Sequence, residues 1–223
     1  PLATLTVDNC IYIAGLAEAT ANGNSIVGTT GDAIHAEGAG AGNVTASNNT
    51  LSTIGQDGID LDAFLDVTAT ANALSGVGGD GITLFNVRNV TLMDNVMDDV
   101  GQNAGAGIRL SGYTQATIIG NSIVNVTAQY GLFIENGAAT TWPAANMLIA
   151  ENFISGNDIG LYTGANVSGV IGTPPGATVV GNTIGGNTIQ GNRQWGVVIG
   201  ANALTHAPAA GDPGTAYVDI LVN

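Results

Sequence analysis

The sequence has no lysine and only three arginines, Arg88, Arg109 and Arg193, against 17 acidic residues, for a net charge of −14. Without a cluster of cations there is no electrostatic footprint for a phosphate backbone, and nucleic acid is excluded as an expected partner. Cysteine is nearly absent too. Cys10 stands alone, so no internal disulfide can form and the redox compartment is left open. No apolar run reaches the ~18 residues that a membrane-spanning helix requires, so no membrane span is expected. There is no signal-peptide pattern, and the chain starts at Pro1 without a methionine, as a mature form or an excised fragment would. Charged residues make up only 9% of the chain, and 34 positions are glycine. That balance is too apolar for disorder and too rich in glycine for an ordinary helical domain. At 223 residues, one domain with a substantial interior is expected over 1–223.

What the chain does have is repetition. Seven segments align: "ATANGNSI" (19–26), "VTASNNTL" (44–51), "VTATANAL" (67–74), "VTLMDNVM" (90–97), "ATIIGNSI" (116–123), "MLIAENFI" (147–154) and "ATVVGNTI" (177–184). Their shared asparagines are Asn24, Asn49, Asn72, Asn95, Asn121, Asn152 and Asn182, with Asn187 an equally good register for the last. A second motif follows each: "AIHAE" (33–37), "GIDLD" (58–62), "GITLF" (81–85), "GIRLS" (107–111), "GLFIE" (131–135), "GLYTG" (160–164) and "GVVIG" (196–200), with "CIYIA" (10–14) an unaccompanied eighth copy. The copies start 23, 25, 23, 26, 24, 29 and 36 residues apart, and the two long intervals point to insertions at about 136–145 and 164–176. A helical period fails throughout, and a period of two fits every copy.

Short strands in units of about 23 residues imply coils stacked in parallel, about 4.8 Å apart. Alternation then sends Ile34, Ile59, Ile82, Ile108, Leu132, Leu161 and Val197 inward as one column, and Ala36, Leu61, Leu84, Leu110, Ile134 and Ile199 as another. The asparagines form an internal ladder at a turn, tolerable only if every amide is paired. Glycine at the head of the second motif suits positive φ or a close approach of backbones. The expected fold is all-β, a solenoid of about eight coils with three short strands each.

With its double motif, nearly the whole chain resembles the right-handed parallel β-helix family, whose repeat is seen in pectate-lyase-like and related secreted proteins. This architecture hosts lyases, hydrolases, epimerases, adhesins and viral spikes, so the fold alone does not select a function. In the polygalacturonases of this fold, acids precede the Gly-Ile-like strand in patterns such as NTDGID, DDCIAI and then GHG. Asp57 in "QDGIDLD" matches the first, and Asp80 in "GDGITL" matches the second aspartate of the pair. Gly79 stands where the other aspartate would be, Ala106 where the histidine would be, and no RIK tripeptide follows. The set is incomplete, and pectin hydrolysis is not expected of it. The epimerase signature YGFDPH is missing as well.

Asp32, Asp57 and Asp80 recur at one place in the repeat. They are expected as turn residues, since aspartate before glycine bonds its own backbone. The alternative is a carboxylate column whose mutual repulsion calcium would offset, and calcium is the one candidate ion. On the outward side of the second motif run Tyr12, His35, Asp60, Thr83, Arg109, Phe133, Tyr162 and Val198, beside Ala14, Glu37, Asp62, Phe85, Ser111, Glu135, Gly164 and Gly200. His35, Glu37, Asp60 and Asp62 should therefore cluster as candidates for acid–base work. Phe85, Arg109, Phe133 and Tyr162 are candidates for holding a sugar. In the resembling enzymes this is the face on which polysaccharide lies. The bland account is a solvated acidic face with scattered aromatics. Elimination chemistry lacks a lysine base, and a polyanionic substrate would meet a strongly negative protein. A threonine column (Thr20, Thr45, Thr68, Thr91, Thr117, Leu148, Thr178) raises ice binding as a minor alternative, although threonine is also simply a good strand residue.

The expected role is an extracellular or cell-surface scaffold of the adhesin type, with polysaccharide contact. Neither end shows a capping helix, so flanking coils of the same chain or end-to-end stacking are expected partners. The alternative is a carbohydrate-active enzyme working on the His35/Asp60 face.

Overall fold

In a computed structural model, residues 8–15, 17–112, 115–127, 129–135, 147–163, 183–185 and 187–199 are described. The two expected insertions, Asn182, Thr178, Gly164 and Gly200 lie outside them. Every regular element among the described residues is a strand, and no helix there is long and apolar enough to cross a membrane. The first coil is β1 (Ile11–Ala14), β2 (Glu18–Asn22) and β3 (Ser25–Thr29); the second is β4 (Ile34–Glu37), β5 (Asn43–Ser47) and β6 (Thr50–Ile54). This triplet recurs up to β22 (Trp195–Ile199), so that strands three apart in sequence pair in parallel. Three sheets result, of eight, seven and seven strands. The count is seven triplets and one further strand, slightly below the eight coils expected.

Register follows the pattern of the sequence. Ile34 pairs with Ile59, Ile59 with Ile82, Ile82 with Ile108, Ile108 with Leu132, and Leu132 with Leu161. All six are buried, and Val197 extends the column. The second inward column runs Ala36, Leu61, Leu84, Leu110 and Ile134, and Thr163 then fills the place between Ile134 and Ile199. Of the two reasons for glycine before these strands, close approach is the one at work. A Cβ on Gly81 would lie 2.5 Å from the Gly107 carbonyl oxygen and 2.9 Å from Met97 Sδ.

The asparagine ladder occupies the turn between the second and third sheets. Asn72 Oδ1 accepts from both the backbone N–H (3.0 Å) and the Nδ2 (2.9 Å) of Asn49, while Asn72 Nδ2 donates to Asn95 Oδ1 (2.9 Å) and to the Ala46 carbonyl (2.9 Å). Asn95, Asn121 and Asn152 repeat the arrangement. At the last rung Asn187 is the residue used. The alternative register is thus taken there: Leu148 pairs with Thr183, which takes the place expected for Thr178 in the threonine column. The residue before each ladder asparagine sits at positive φ: Gly23 (68°), Asn48 (53°), Ala71 (54°), Asp94 (55°), Gly120 (68°) and Glu151 (57°). A left-handed residue turns the chain sharply enough to aim the next side chain along the solenoid axis. It costs a non-glycine residue about 1–2 kcal/mol, which the buried amide bonds offset.

Asn72→Leu should therefore orphan the Asn49 amide and leave Asn95 Oδ1 and the Ala46 carbonyl under-satisfied, at about 1–3 kcal/mol for each truly unpaired group. The melting temperature measured by circular dichroism should fall clearly. An unchanged melt would mean that the ladder does not hold the coils.

Candidate functional site on the first sheet

The outward positions of the first sheet carry most of the chemistry-bearing side chains. Parallel in-register pairing puts Tyr12, His35, Asp60, Thr83, Arg109, Phe133 and Tyr162 side by side on successive coils. The edge of this face is set by the turn before each strand, where a second ladder runs. Asn9 Oδ1 accepts from Asp32 N–H (2.8 Å), Asp32 Oδ1 from Asp57 N–H (2.9 Å), Asp57 Oδ1 from Asp80 N–H (2.7 Å), and Asp80 Oδ1 from Ala106 N–H. Each aspartate thus holds the next coil's backbone with one oxygen, as a turn residue in a stack would. Its Oδ2 is left over for the outward face.

The leftover oxygens are used in two clusters. In the first, Nδ1 of His35 lies 2.8 Å from Asp60 Oδ2 and 3.2 Å from Asp32 Oδ2, and Nε2 lies 3.0 Å from Glu37 Oε1. Neither oxygen near Nδ1 is aligned for a hydrogen bond, and this buried nitrogen has no hydrogen-bond partner. These contacts are ionic rather than directional. Tyr12 stacks flat on the imidazole, with ring centroids 5.3 Å apart, and its hydroxyl donates to Glu37 Oε2 at 3.4 Å. Burial of the imidazole acts to lower its pKa, but the Glu37 hydrogen bond and the charges of Asp60 and Asp32 outweigh it, leaving His35 above its ordinary value. The bond to His35 holds Glu37 below the usual carboxylate range. Burial pushes Asp60 up to about 6, with His35 opposing. Asp62 is also raised, by burial and then by Glu37.

In the second cluster, the Thr83 hydroxyl lies 2.9 Å from Asp80 Oδ2 and 3.0 Å from Asp57 Oδ2. A hydroxyl has one proton to donate, so two ionised carboxylates cannot both be served. Asp80 is ion-paired with Arg109 Nε at 2.6 Å and takes the Thr83 proton. Asp57 is satisfied if its own protonated oxygen donates to Thr83 Oγ1. Electrostatics points the same way: burial, then the nearby charge of Asp80, push Asp57 up to about 7, so that it holds its proton below that pH.

The departures from the pectinase pattern have a packing reason. A Cβ on Gly79 would collide with Asp57 Oδ1 and stand 3.0 Å from the Gln56 carbonyl carbon, so no second acid fits beside Asp80. Ala106 is buried, and its backbone N–H closes the aspartate ladder.

The sugar-binding candidates separate. Phe85 is exposed and free to stack. Phe133 is 8% exposed: Tyr130 stacks over it at 4.4 Å, Tyr162 packs at 5.0 Å, and the Arg109 guanidinium lies 4.8 Å from its ring. It supports the two tyrosines rather than facing solvent itself. Arg109 is committed to Asp80 and approaches Glu135 at 3.7 Å. Through Oδ2 Asp32 meets His35 and Asp60, whose ligand atoms all lie within 4.8 Å of one another, while its Oδ1 stays in the ladder with Asp57. On the second sheet Thr20, Thr45, Thr68, Thr91 and Thr117 do align in one row.

Several residues of this surface escaped the sequence pattern. Tyr130 and the exposed Trp195 lie just before the inward stretch of their strands, outside the aligned motif. Asn157 and Asn192 begin a further side-chain ladder, from Val126 N–H to Asn157 Oδ1 (2.9 Å) and from Asn157 N–H to Asn192 Oδ1 (3.0 Å). Their signal was present in "SGNDIG" and "QGNRQWG", whose Asp158 and Arg193 form an ion pair.

The family described as "right handed beta helix region" matches residues 9–184. The chain belongs to that family, and its three-sheet parallel solenoid is the family's fold. No curated protein and no solved structure gives a significant match.

The raised Asp57 has a consequence for stability. Its folded value of about 7 lies above its ordinary 3.8, so at intermediate pH the folded protein binds the extra proton. The stability this provides is full below about pH 4 and is lost as pH rises through about 7. Asp60, at about 6, and the raised His35 act in the same direction. Chemical unfolding at pH 5 and pH 8 should show the protein weaker at pH 8. Asp57→Asn, which keeps a neutral donor in place, should narrow that gap. An equal gap in the variant would mean that Asp57 is not the proton holder.

Proposed function

We propose that the protein is an extracellular or cell-surface β-helical scaffold whose first-sheet face binds a neutral polysaccharide. The observation that carries this is the meeting of two kinds of group on one flat face. Two rings, the exposed Phe85 and the half-exposed Tyr162, lie in the same rows as the hydrogen-bonding groups His35, Glu37, Asp60, Asp62, Thr83 and Glu135, and Tyr130 and Trp195 add rings in a row at the start of the same strands. Sugars present an apolar ring face and a rim of hydroxyls, and such a surface serves both. The repeat of successive strands, about 4.8 Å, suits an extended chain better than a single small ligand. Net charge −14 argues for a neutral polymer over a uronate.

The test is affinity electrophoresis of the purified chain in gels holding soluble glucans, mannans or galactans, with polygalacturonate as the anionic comparison. At least one neutral polymer should retard it. Tyr162→Ala with Phe85→Ala should weaken that retention about tenfold, which corresponds to ~1.4 kcal/mol. Retention by none of the neutral polymers, or retention indifferent to these variants, defeats the reading.

A second reading, cleavage of the bound polysaccharide, is favoured by the Thr83 hydroxyl between Asp57 and Asp80, an arrangement that keeps one acid beside one carboxylate. It requires release of reducing ends from the polymer that binds, lost in Asp57→Asn while binding is kept. Binding with no such release leaves the scaffold role alone.

A further inference from the structure

We infer that Asp32, His35 and Asp60 form a binding site for one divalent transition-metal ion of the zinc type, with open coordination positions toward the solvent side. Three features of the cluster converge on this, and none depends on the glycan reading. The first is spacing. The oxygens of Asp60 and Asp32 stand 2.8 and 3.2 Å from His35 Nδ1, and the three donors lie within 4.8 Å of one another. Ligands about 2.0–2.2 Å from one tetrahedral ion stand about 3.3–3.6 Å apart, so the Asp32 contact fits almost as it stands and the Asp60 contact fits after opening by about half an ångström.

The second is the unfilled nitrogen. His35 Nδ1 is shut off from solvent and lacks any aligned hydrogen-bond partner. Asp32, with only 10% of its side chain exposed, turns Oδ2 toward that nitrogen while Oδ1 is occupied by the Asp57 N–H. A buried nitrogen met by carboxylates but by no aligned hydrogen bond is incompletely satisfied; an ion among these three atoms would satisfy them together.

The third is the supporting shell. Glu37 lies against Nε2, and Tyr12 holds Glu37 through its hydroxyl while stacking on the ring. Metal-binding imidazoles are commonly arranged in this way. The remote nitrogen gives its N–H to a carboxylate, which fixes the tautomer and leaves the near nitrogen's lone pair for the metal. One imidazole nitrogen with two carboxylate oxygens suits zinc or a similar ion. Calcium prefers six to eight oxygens and gains little from nitrogen.

Calorimetric titration of the chelator-treated chain with Zn2+ tests this directly, with Ca2+ as the comparison ion. One zinc per chain is expected, with no comparable calcium response. His35→Ala and Asp60→Asn should each abolish the zinc isotherm while circular dichroism shows the solenoid intact. Glu37→Ala retains all three ligands and should weaken zinc about 10–100-fold. Should a ligand variant fail to fold, the visible absorption of Co2+ in the native chain and in Glu37→Ala provides the readout. A nitrogen-and-oxygen site gives a tetrahedral or five-coordinate spectrum, weakened in the variant. Absence of zinc binding overturns the assignment and leaves His35 as an imidazolium held by carboxylates. Zinc binding that survives His35→Ala, or disappears in Cys10→Ser, overturns it by placing the ion elsewhere.

Discussion

The structure depends on one constraint: each coil must present a hydrogen-bonding group where the next coil needs one, at the repeat of a parallel strand pair. Within the sheets the backbone meets this by itself. At the turns the peptide ladder continues on both sides of each asparagine, as from Asn48 N–H to the Thr70 carbonyl and from Thr50 N–H to the Asn24 carbonyl, but the N–H of the asparagine itself must be met by a side chain. The interior asparagines do so with all their amide capacity, as Asn72 shows by accepting twice and donating twice. Asparagine has both donor and acceptor on one short stem, so it alone of the common residues can close such a column without charge.

The aspartate ladder solves the same problem on the other side of the coil with a group that is only half suited to it. One oxygen is absorbed in holding the next backbone N–H. The second oxygen has no neighbour of its own kind to donate, and stacked carboxylates repel. The surrounding coils offset this locally in different ways: His35 beside Asp60 and Asp32, an Asp57 carboxyl raised to about 7, Arg109 at Asp80. What distinguishes the first-sheet face chemically is thus a by-product of how its edge is held. Arg109 pairs with Asp80 of this ladder, and Arg193 pairs with Asp158 beside the Asn157 rung.

Aromatic packing on this face follows the same logic of stacking. Phe133 sits between Arg109 and Tyr162 in the outward row, and neighbours in such a row are close enough that large rings must tilt over one another. Tyr130 covers Phe133 because its strand begins two residues early, at a place the repeat leaves free. One consequence is that a residue aligned with exposed positions is buried, while an unaligned one lies at the surface.

The inward and outward columns, the asparagine ladder and the parallel pairing were all legible in the sequence, because a period of two and a repeat of about 23 residues leave the chain few other ways to bury its aliphatic residues. The last rung was ambiguous: "GNTIGGNTI" offers two registers of equal hydrophobic quality, and only pairing with Leu148–Ala150 selects Asn187. The neighbours of His35 were also legible, since in-register stacking places Asp60 beside it. What the sequence by itself determined is therefore which residues share a row. Only the tertiary structure decided what those rows do: which aspartate oxygen holds the backbone and which faces outward, that the free oxygen of Asp32 turns to His35, that Phe133 is covered, and that Gly79 has no room for an acid. The physical reason is one of scale. Rows are set by a backbone spacing common to every coil, whereas proton positions, ring tilts and the choice between two carboxylate oxygens are decided within an ångström by neighbours that no periodicity encodes.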